Sequence, residues 1–352
     1  MTISVAIAGA GRMGKNHAKN LGAIADAKIV AVADVMRDAA DALAEPHNAA
    51  AFTDYREMLE RVKPDLVYFC TPAFDHAEQV AFAAERGVNV FVEKPLATTV
   101  AAAKAAADAV ERHGILCTVG YQWRYNPATD AARAALADLP PTLLAGWWYW
   151  TIPVVDWIKD MRLGGGQIFD QATHLIDLMR YFAGDIAEVY AAYTRNAIPE
   201  TELPNWDANA VTLKFARGAV GSLHTSYALF PGIPNGNGID VTARELLLRI
   251  NLGKSTIFRR DADPAQHDQP QGWNIDQAII PLIARNDGAA IRSTAREAMK
   301  SVAASLAANY SAVTGTIVDM EAFIANPPTD VAIMPTERPA FTAASTETRT
   351  GY

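Results

Sequence analysis

The hexapeptide Gly9-Ala10-Gly11-Arg12-Met13-Gly14 constrains this chain more than any other segment. It follows the apolar run Ile3–Ala8 and opens a helical stretch, the strand–turn–helix setting in which Gly-x-Gly-x-x-Gly can hold a dinucleotide. Gly9 permits the tight turn, Gly11 lets backbone approach a pyrophosphate, and Gly14 lets the helix pack closely on the strand. The helix N-terminus then offers N–H groups and a partial positive charge to the phosphates. Asp34 closes a second apolar run, 20 residues after Gly14. A carboxylate there bonds ribose hydroxyls and repels a 2′-phosphate, which favours NAD. Arg37 is close enough to leave room for NADP, and a helix cap is the plainer role for Asp34. The expected cofactor contacts are Gly9, Gly11, Arg12, Met13, Gly14, Asp34 and Arg37.

The first 125 residues alternate short apolar runs with Ala-rich helical stretches. Ile3–Ala8, Lys28–Ala33, Leu66–Cys70, Val88–Val92 and Leu116–Val119 read as strands. They are continuous rather than alternating, as in strands buried on both faces of a parallel sheet. Asp54 with Glu57 and Asp75 with Glu78 have capping-box spacing. Gly87 and Gly114 stand where helices end, and Asn126-Pro127 resembles an N-cap followed by proline at the first helical position. This predicts an α/β Rossmann domain, a doubly wound parallel sheet, over residues 1–125.

From about residue 140 strand-like runs dominate: Leu143–Trp150, Glu188–Thr194, Ala210–Phe215, Val220–Tyr227, Glu245–Ile250 and Ser255–Phe258. A helix is expected around Ile168–Phe182, others at Ile275–Ala284 and Ser293–Ala325, and a surface loop over Arg259–Asn274. This texture predicts an α+β domain over 126–352, built on a mostly antiparallel open sheet. From Pro327 the prolines and Ser/Thr-rich end read as a packed arm or a frayed tail.

With 31 basic and 39 acidic residues the 352-residue chain has a net charge of −8. That balance argues against an extended nucleic-acid surface. No apolar run reaches the roughly 20 residues a membrane span needs, and no basic segment precedes the apolar start. Cys70 and Cys117 lack metal-ligand spacing and read as small buried hydrophobes in a reducing compartment, so a cytoplasmic location is expected. There is no Ser/His/Asp nucleophile arrangement, P-loop or His-x-x-x-His, and no metal is expected.

Three further motifs join the glycine loop: Glu93-Lys94-Pro95, Gly120-Tyr121-Gln122-Trp123-Arg124-Tyr125, and Gly164-Gly165-Gly166-Gln167-Ile168-Phe169-Asp170-Gln171-Ala172-Thr173-His174. In this order they resemble the Gfo/Idh/MocA oxidoreductase family, which includes inositol and glucose dehydrogenases, over residues 1–255. The resemblance implies a Rossmann domain followed by an open α/β domain whose sheet often forms an oligomer interface, hence a homodimer or homotetramer. It implies a catalytic lysine at Lys94, a catalytic Asp/His pair at Asp170 and His174, and a cis Lys94–Pro95 bond. It places Thr71, Pro72, His76, Glu93 and Lys94 beside the cofactor. It also places Tyr121, Trp123 and Arg124 near the substrate, although members often carry arginine where this chain has Trp123.

The residues support parts of this directly. Asp170 and His174 are four apart, so on one helix they share a face and reach the same small molecule. Histidine can take a hydroxyl proton at neutral pH. Lys94 ends a parallel strand, at the edge where doubly wound sheets bind ligands, and a lysine there can steady a developing alkoxide. His76 serves equally well as a first-turn helix residue. The Trp147–Trp150 aromatics suit sheet packing or an interface, and Asp177 suits a supporting or surface group. Trp157, Lys159 and Arg162 lie in the loop before the triple glycine. With Arg124 they suggest a basic site for an anionic or strongly polar substrate.

The expected activity is NAD-dependent hydride transfer from a secondary alcohol of a sugar, sugar acid or cyclitol. An NAD-retaining glycosidase working by transient oxidation and elimination would use the same lysine and histidine. A non-catalytic NAD-binding redox sensor would have no use for the Lys94, Asp170 and His174 trio.

Overall fold

The computed structural model describes residues 2–328, without the side chain of Trp157. The expected C-terminal arm lies almost wholly outside them. Two compact units emerge: residues 1–97, 101–122 and 272–299 form the first, and residues 98–100, 123–271 and 300 onward form the second.

In the first unit, strands β1 (Ile3–Ala8), β2 (Ala27–Ala33), β3 (Ala50–Phe52), β4 (Leu66–Phe69), β5 (Asn89–Val92) and β6 (Cys117–Val119) alternate with helices α1 (Arg12–Gly22), α2 (Arg37–Ala44), α3 (Tyr55–Val62), α4 (Ala73–Glu85) and α5 (Val100–His113). The order is β3-β2-β1-β4-β5-β6, every pairing parallel. This is the two-halved Rossmann order, which opens a crevice where the sequence of strands reverses between β1 and β4. Burial on both faces explains the continuous apolar runs: all four residues of β4 are buried.

Local signals behave as side-chain chemistry requires, with one exception. Asp54 caps α3 by accepting from the Arg56 N–H. Asn126 caps the helix that follows it by accepting from the Ala128 N–H, with Pro127 at the first position. Asp75, expected as a cap, instead lies in the first turn of α4, which starts one residue after Pro72. Pro72 is the N-cap, in extended conformation and with no N–H to satisfy, so the helix begins earlier than the capping-box spacing suggested.

The second unit holds α6 (Pro127–Leu136), β7 (Leu143–Tyr149), the short helices α7 (Asp156–Lys159), α8 (Met161–Gly164) and α9 (Gly166–Asp170), then α10 (Thr173–Ala183). Strands β8 (Ile186–Thr194), β9 (Ala208–Phe215), β10 (Val220–Ser226), β11 (Asn237–Ala243), β12 (Leu246–Asn251), β13 (Lys254–Arg259) and β14 (Ala265–Asp268) follow. The chain continues through α11 (Ile275–Ala284), α12 (Ala295–Thr314), β15 (Val318–Asp319) and α13 (Met320–Ala325). The nine-stranded order is β14-β13-β12-β11-β7-β10-β9-β8-β15. Within this sheet only β7 and β10, among the described strands, pair in parallel. Strands β9 and β10 alternate buried and exposed residues, so one face packs inward and the other faces outward.

Several elements depart from the sequence expectation, among them the expected helix Ser293–Ala325, which divides into α12, β15 and α13. Strand β11 was missed because Asn235, Gly236, Asn237 and Gly238 look like a turn. Strand β14 falls inside the expected loop and is exposed along its whole length, a polar strand at the sheet edge. The segment 272–299 belongs to the first unit rather than the second. There Ser293 accepts from the Val119 N–H through its carbonyl (2.9 Å) and donates its hydroxyl to the Val119 carbonyl (2.7 Å). Arg296 bonds Asp108 and Glu111 on α5. Among the described residues, no helix is long and apolar enough to cross a membrane.

Candidate active site

The glycine loop sits at the carboxyl end of β1. A Cβ on Gly14 would stand 1.9 Å from the Gly9 carbonyl oxygen, so only glycine lets α1 start this close to the turn. A Cβ on Gly11 would meet nothing within 4 Å, so this side of the loop is open to a ligand. Gly11 is the N-cap of α1 and no side chain caps the helix, which keeps its first N–H groups available for an anion. Asp34 closes the floor of the loop, accepting from the Ala10 N–H (2.7 Å) and the Met36 N–H (2.9 Å). Arg37 is held by Asp41 in an exposed helical pair (2.9 and 3.0 Å). These residues fit a dinucleotide, and an arginine already paired with its own helix gives no added reason to favour a 2′-phosphate.

Lys94 stands at the carboxyl end of β5, on the same sheet edge as the loop. It is half-buried, the Lys94–Pro95 bond is cis, and its backbone N–H donates to Glu93 Oε2 at 3.2 Å. His76 is 1% exposed, with Nδ1 2.8 Å from the Pro95 carbonyl and Nε2 2.8 Å from the Thr71 carbonyl. Burial pulls its pKa below the ordinary value, and the two carbonyls oppose that shift. Both ring nitrogens thus face backbone carbonyls, of which the neutral ring can donate to one, and the side chain packs against the Thr71 and Pro95 turns. The Thr71 hydroxyl donates to Gln79 (2.6 Å).

In the second unit, the expected single helix around Asp170 and His174 is broken. Gly165 and Gly166 take positive φ (+74° and +76°), turning the chain into α9. Asp170 ends α9, and His174 lies in the first turn of α10. Between them the Ala172 N–H reaches back five residues to the Gln167 carbonyl (2.8 Å), a wider turn than an α-helix makes. The pair therefore does not share one regular helical face. Gln167 fastens this corner by donating to the carbonyls of Trp148 (3.3 Å) and Ser226 (3.1 Å). Asn309 donates to the Gly165 carbonyl (2.7 Å). The Trp148 indole stacks on the His174 imidazole, with centroids 6.1 Å apart and planes at 18°. Asp170 and His174 are both half-buried and so reachable.

The expected basic patch is a correction. Arg124 is 3% exposed and gives Nε to Asp177 Oδ2 (2.6 Å) and a terminal nitrogen to Asp177 Oδ1 (2.8 Å). A guanidinium held this way in the interior is not offered to a substrate, and Asp177 is its buried partner rather than a surface group. Lys159 pairs with Asp156 (2.8 Å), and Arg162 pairs with Asp160 (2.8 Å). The pairs of Lys159 and Arg162 are exposed and weak, so of the expected basic patch only Arg124 is withdrawn into the interior. Tyr121 and Trp123 are buried, at 1% and 3% exposed. The Trp157 side chain lies outside the described residues.

Sequence reasoning missed His17, Asp276, Gln167 and Trp148 as parts of this architecture. Only His17 left a clear signal: it falls three residues after Gly14, in step with the buried positions Ala18 and Leu21 of α1.

A Rossmann sheet with an open glycine loop, an aspartate at the end of β2 and a lysine on the same sheet edge defines an NAD-binding oxidoreductase. The model of the Gfo/Idh/MocA oxidoreductase family with its NAD-binding Rossmann fold matches residues 3–121, and that of the family's C-terminal domain matches residues 142–242. The chain belongs to this family. It is 32% identical over 233 residues to scyllo-inositol 2-dehydrogenase (NAD(+)) of Bacillus subtilis (strain 168), covering 64% of this chain and 67% of that protein. It is 30% identical over 231 residues to the uncharacterized oxidoreductase YrbE of the same organism, with the same coverage of 64% and 67%. In fold it is similar to an oxidoreductase from Agrobacterium radiobacter solved with NAD+, L-tartaric acid and magnesium (TM-score 0.79, 20% identity, 92% of this chain and 100% of that one).

Proposed function

We propose that this chain is an NAD-dependent dehydrogenase that oxidises a secondary alcohol of a neutral polyhydroxylated ring, a cyclitol or a sugar. The observation that carries the reading is Lys94. It occupies the carboxyl end of β5, on the edge that bears the Gly9–Gly14 loop, with its backbone held by Glu93. The kinship to scyllo-inositol 2-dehydrogenase supports the substrate class. The burial of Arg124 against Asp177 withdraws one cation from the expected basic patch, which favours a neutral substrate.

Bound NAD supplies the hydride acceptor. His174 takes the hydroxyl proton, which an imidazole does near neutral pH. Lys94 donates a hydrogen bond to the same oxygen as its negative charge develops. Asp170 orients His174 or a neighbouring hydroxyl. The alcohol carbon loses one hydride and its oxygen one proton, giving the ketone, and the reverse sequence reduces it. In this reading Asp34 keeps the pyrophosphate loop in shape through Ala10 and Met36, in addition to facing a ribose.

The test is a panel of inositols, sugars, sugar acids and glycosides with NAD, following NADH and released aglycone together. Steady NADH on inositols or neutral sugars supports the reading. Aglycone release without net NADH points instead to a glycosidase that cycles its cofactor.

A further inference from the structure

Outside the reacting trio, the first unit buries a charged chain that the proposed mechanism does not use. His17, on the inner face of α1, is 2% exposed. Its Nδ1 lies 2.8 Å from Asp276 Oδ1 and its Nε2 lies 3.0 Å from Glu93 Oε1. Both neighbours are acceptors, so both ring nitrogens satisfy them only as donors, which is the imidazolium form. The Asp276 carboxylate is fully buried and takes a further hydrogen bond from Asn20 Nδ2 (2.9 Å). The second Glu93 oxygen accepts the Lys94 backbone N–H (3.2 Å). The chain therefore runs Asp276–His17–Glu93–Lys94, from α11 through α1 to the end of β5.

We propose that His17 and Asp276 are positioning residues for Lys94, acting through the Glu93 carboxylate; this rests on the catalytic role proposed for Lys94.

A structural histidine needs one partner. Here a second carboxylate is supplied by the residue that immediately precedes the lysine, and its other oxygen accepts that lysine's own amide N–H. Gly120 leaves room for this: a Cβ there would sit 3.1 Å from Glu93 Oε2 and 3.4 Å from the Lys94 nitrogen. The surroundings are apolar, with the Tyr68 and Phe91 rings 5.1 and 4.9 Å from the imidazole. In such a setting hydrogen bonds to charge are strong, and an uncompensated carboxylate is costly. The titratable groups facing His17 are Glu93 after β5, Asp276 on α11, and Tyr68 with neighbouring Cys70 from the β4 edge. Burial alone would lower the imidazole pKa, but hydrogen bonds to Asp276 and Glu93 reverse this and raise it to about 10. Removing Asp276 takes away one of the two charges that keep His17 protonated. It should release Glu93, and with it the Lys94 backbone, at lower pH.

The experiment combines selective 15N-histidine and 15N-lysine labelling with kinetics, on the full chain and on Asp276→Asn. The His17 ring and Lys94 amide signals are assigned by their loss in His17→Gln and Lys94→Arg. In the wild type the ring should be imidazolium at about pH 8, and the Lys94 amide should follow its titration. In Asp276→Asn both should move down together by about one unit or more. Turnover should drop about ten- to hundredfold above the new transition and recover below it, with NAD affinity unchanged. A purely structural role gives no such recovery. A Lys94 amide indifferent to the His17 titration, or superimposable kcat–pH profiles, would overturn the proposal. The wild-type titration does not depend on Asp276→Asn, so a misfolded Asp276→Asn leaves it decisive. Absence of dehydrogenase turnover in the wild type would refute the proposed function instead, and the amide titration would still decide whether the chain grips Lys94.

Discussion

Arg124 and Asp177 meet as a two-point ion pair in the interior of the second unit, with side chains 3% and 1% exposed. Ser301 on α12 adds a hydrogen bond to Asp177 Oδ1 (2.8 Å). The pair ties the segment after β6 to α10 and α12, so its role is architectural. Asp177→Asn leaves a buried guanidinium without its counter-charge, and the expected cost is about 3–5 kcal/mol. Replacing both residues with apolar ones of similar volume should cost much less. Urea unfolding of the single and double variants checks this, and equal losses in the two would refute the pairing.

Gly14→Ala tests the nucleotide loop. The added methyl cannot coexist with the Gly9 carbonyl 1.9 Å away, so the turn must shift. NAD should bind about tenfold more weakly or worse, a loss of about 1.4 kcal/mol or more. Calorimetric titration reads this directly, and an unchanged affinity would mean the phosphates do not use this turn.

Asp185 gives an acid-side prediction. Burial pushes its carboxyl up, but hydrogen bonds from Lys300 and Arg180 outweigh this and hold it below the ordinary value. A depressed native pKa contributes stability above the unfolded value of about 3.9, and the contribution fades as pH falls through the native value. The side chain is half exposed, so the effect of Asp185→Asn should be at most about 1 kcal/mol. The gap between wild type and variant should be constant at neutral pH and close below about pH 4. Melting curves across that range measure it.

His17 gives the opposite sign. A raised native pKa contributes in full below the unfolded value of about 6.5, then declines until pH passes about 10. The wild type should lose stability steadily over that interval, and His17→Gln should lose less per pH unit. Parallel slopes would contradict a protonated His17.

Much of the Rossmann half was legible because buried parallel strands leave unbroken apolar runs. Residues Ile3–Ala8 form β1 over the expected span. Strand β3 was invisible because Ala50-Ala51-Phe52 is too short to show a period. The return of residues 272–299 to the first unit could not be read locally. Asp276 looks like an ordinary helix-start acid until α11 packs beside α1. The Asp170/His174 spacing was read as one regular helix, which it is not, because Gln167 pulls the corner onto β7 and β10. Arg124 shows the same limit: charge in a sequence says nothing of a partner 53 residues away.

Loss of the Lys94 side chain should slow hydride transfer from a neutral polyol far more than it weakens NAD binding. The most direct measurement compares wild type and Lys94→Ala for NADH production on inositols, with NAD affinity determined in parallel. The account predicts a turnover loss of about a hundredfold or more with a far smaller change in NAD affinity. Wild-type turnover in Lys94→Ala, or a matching loss of NAD binding, would contradict it.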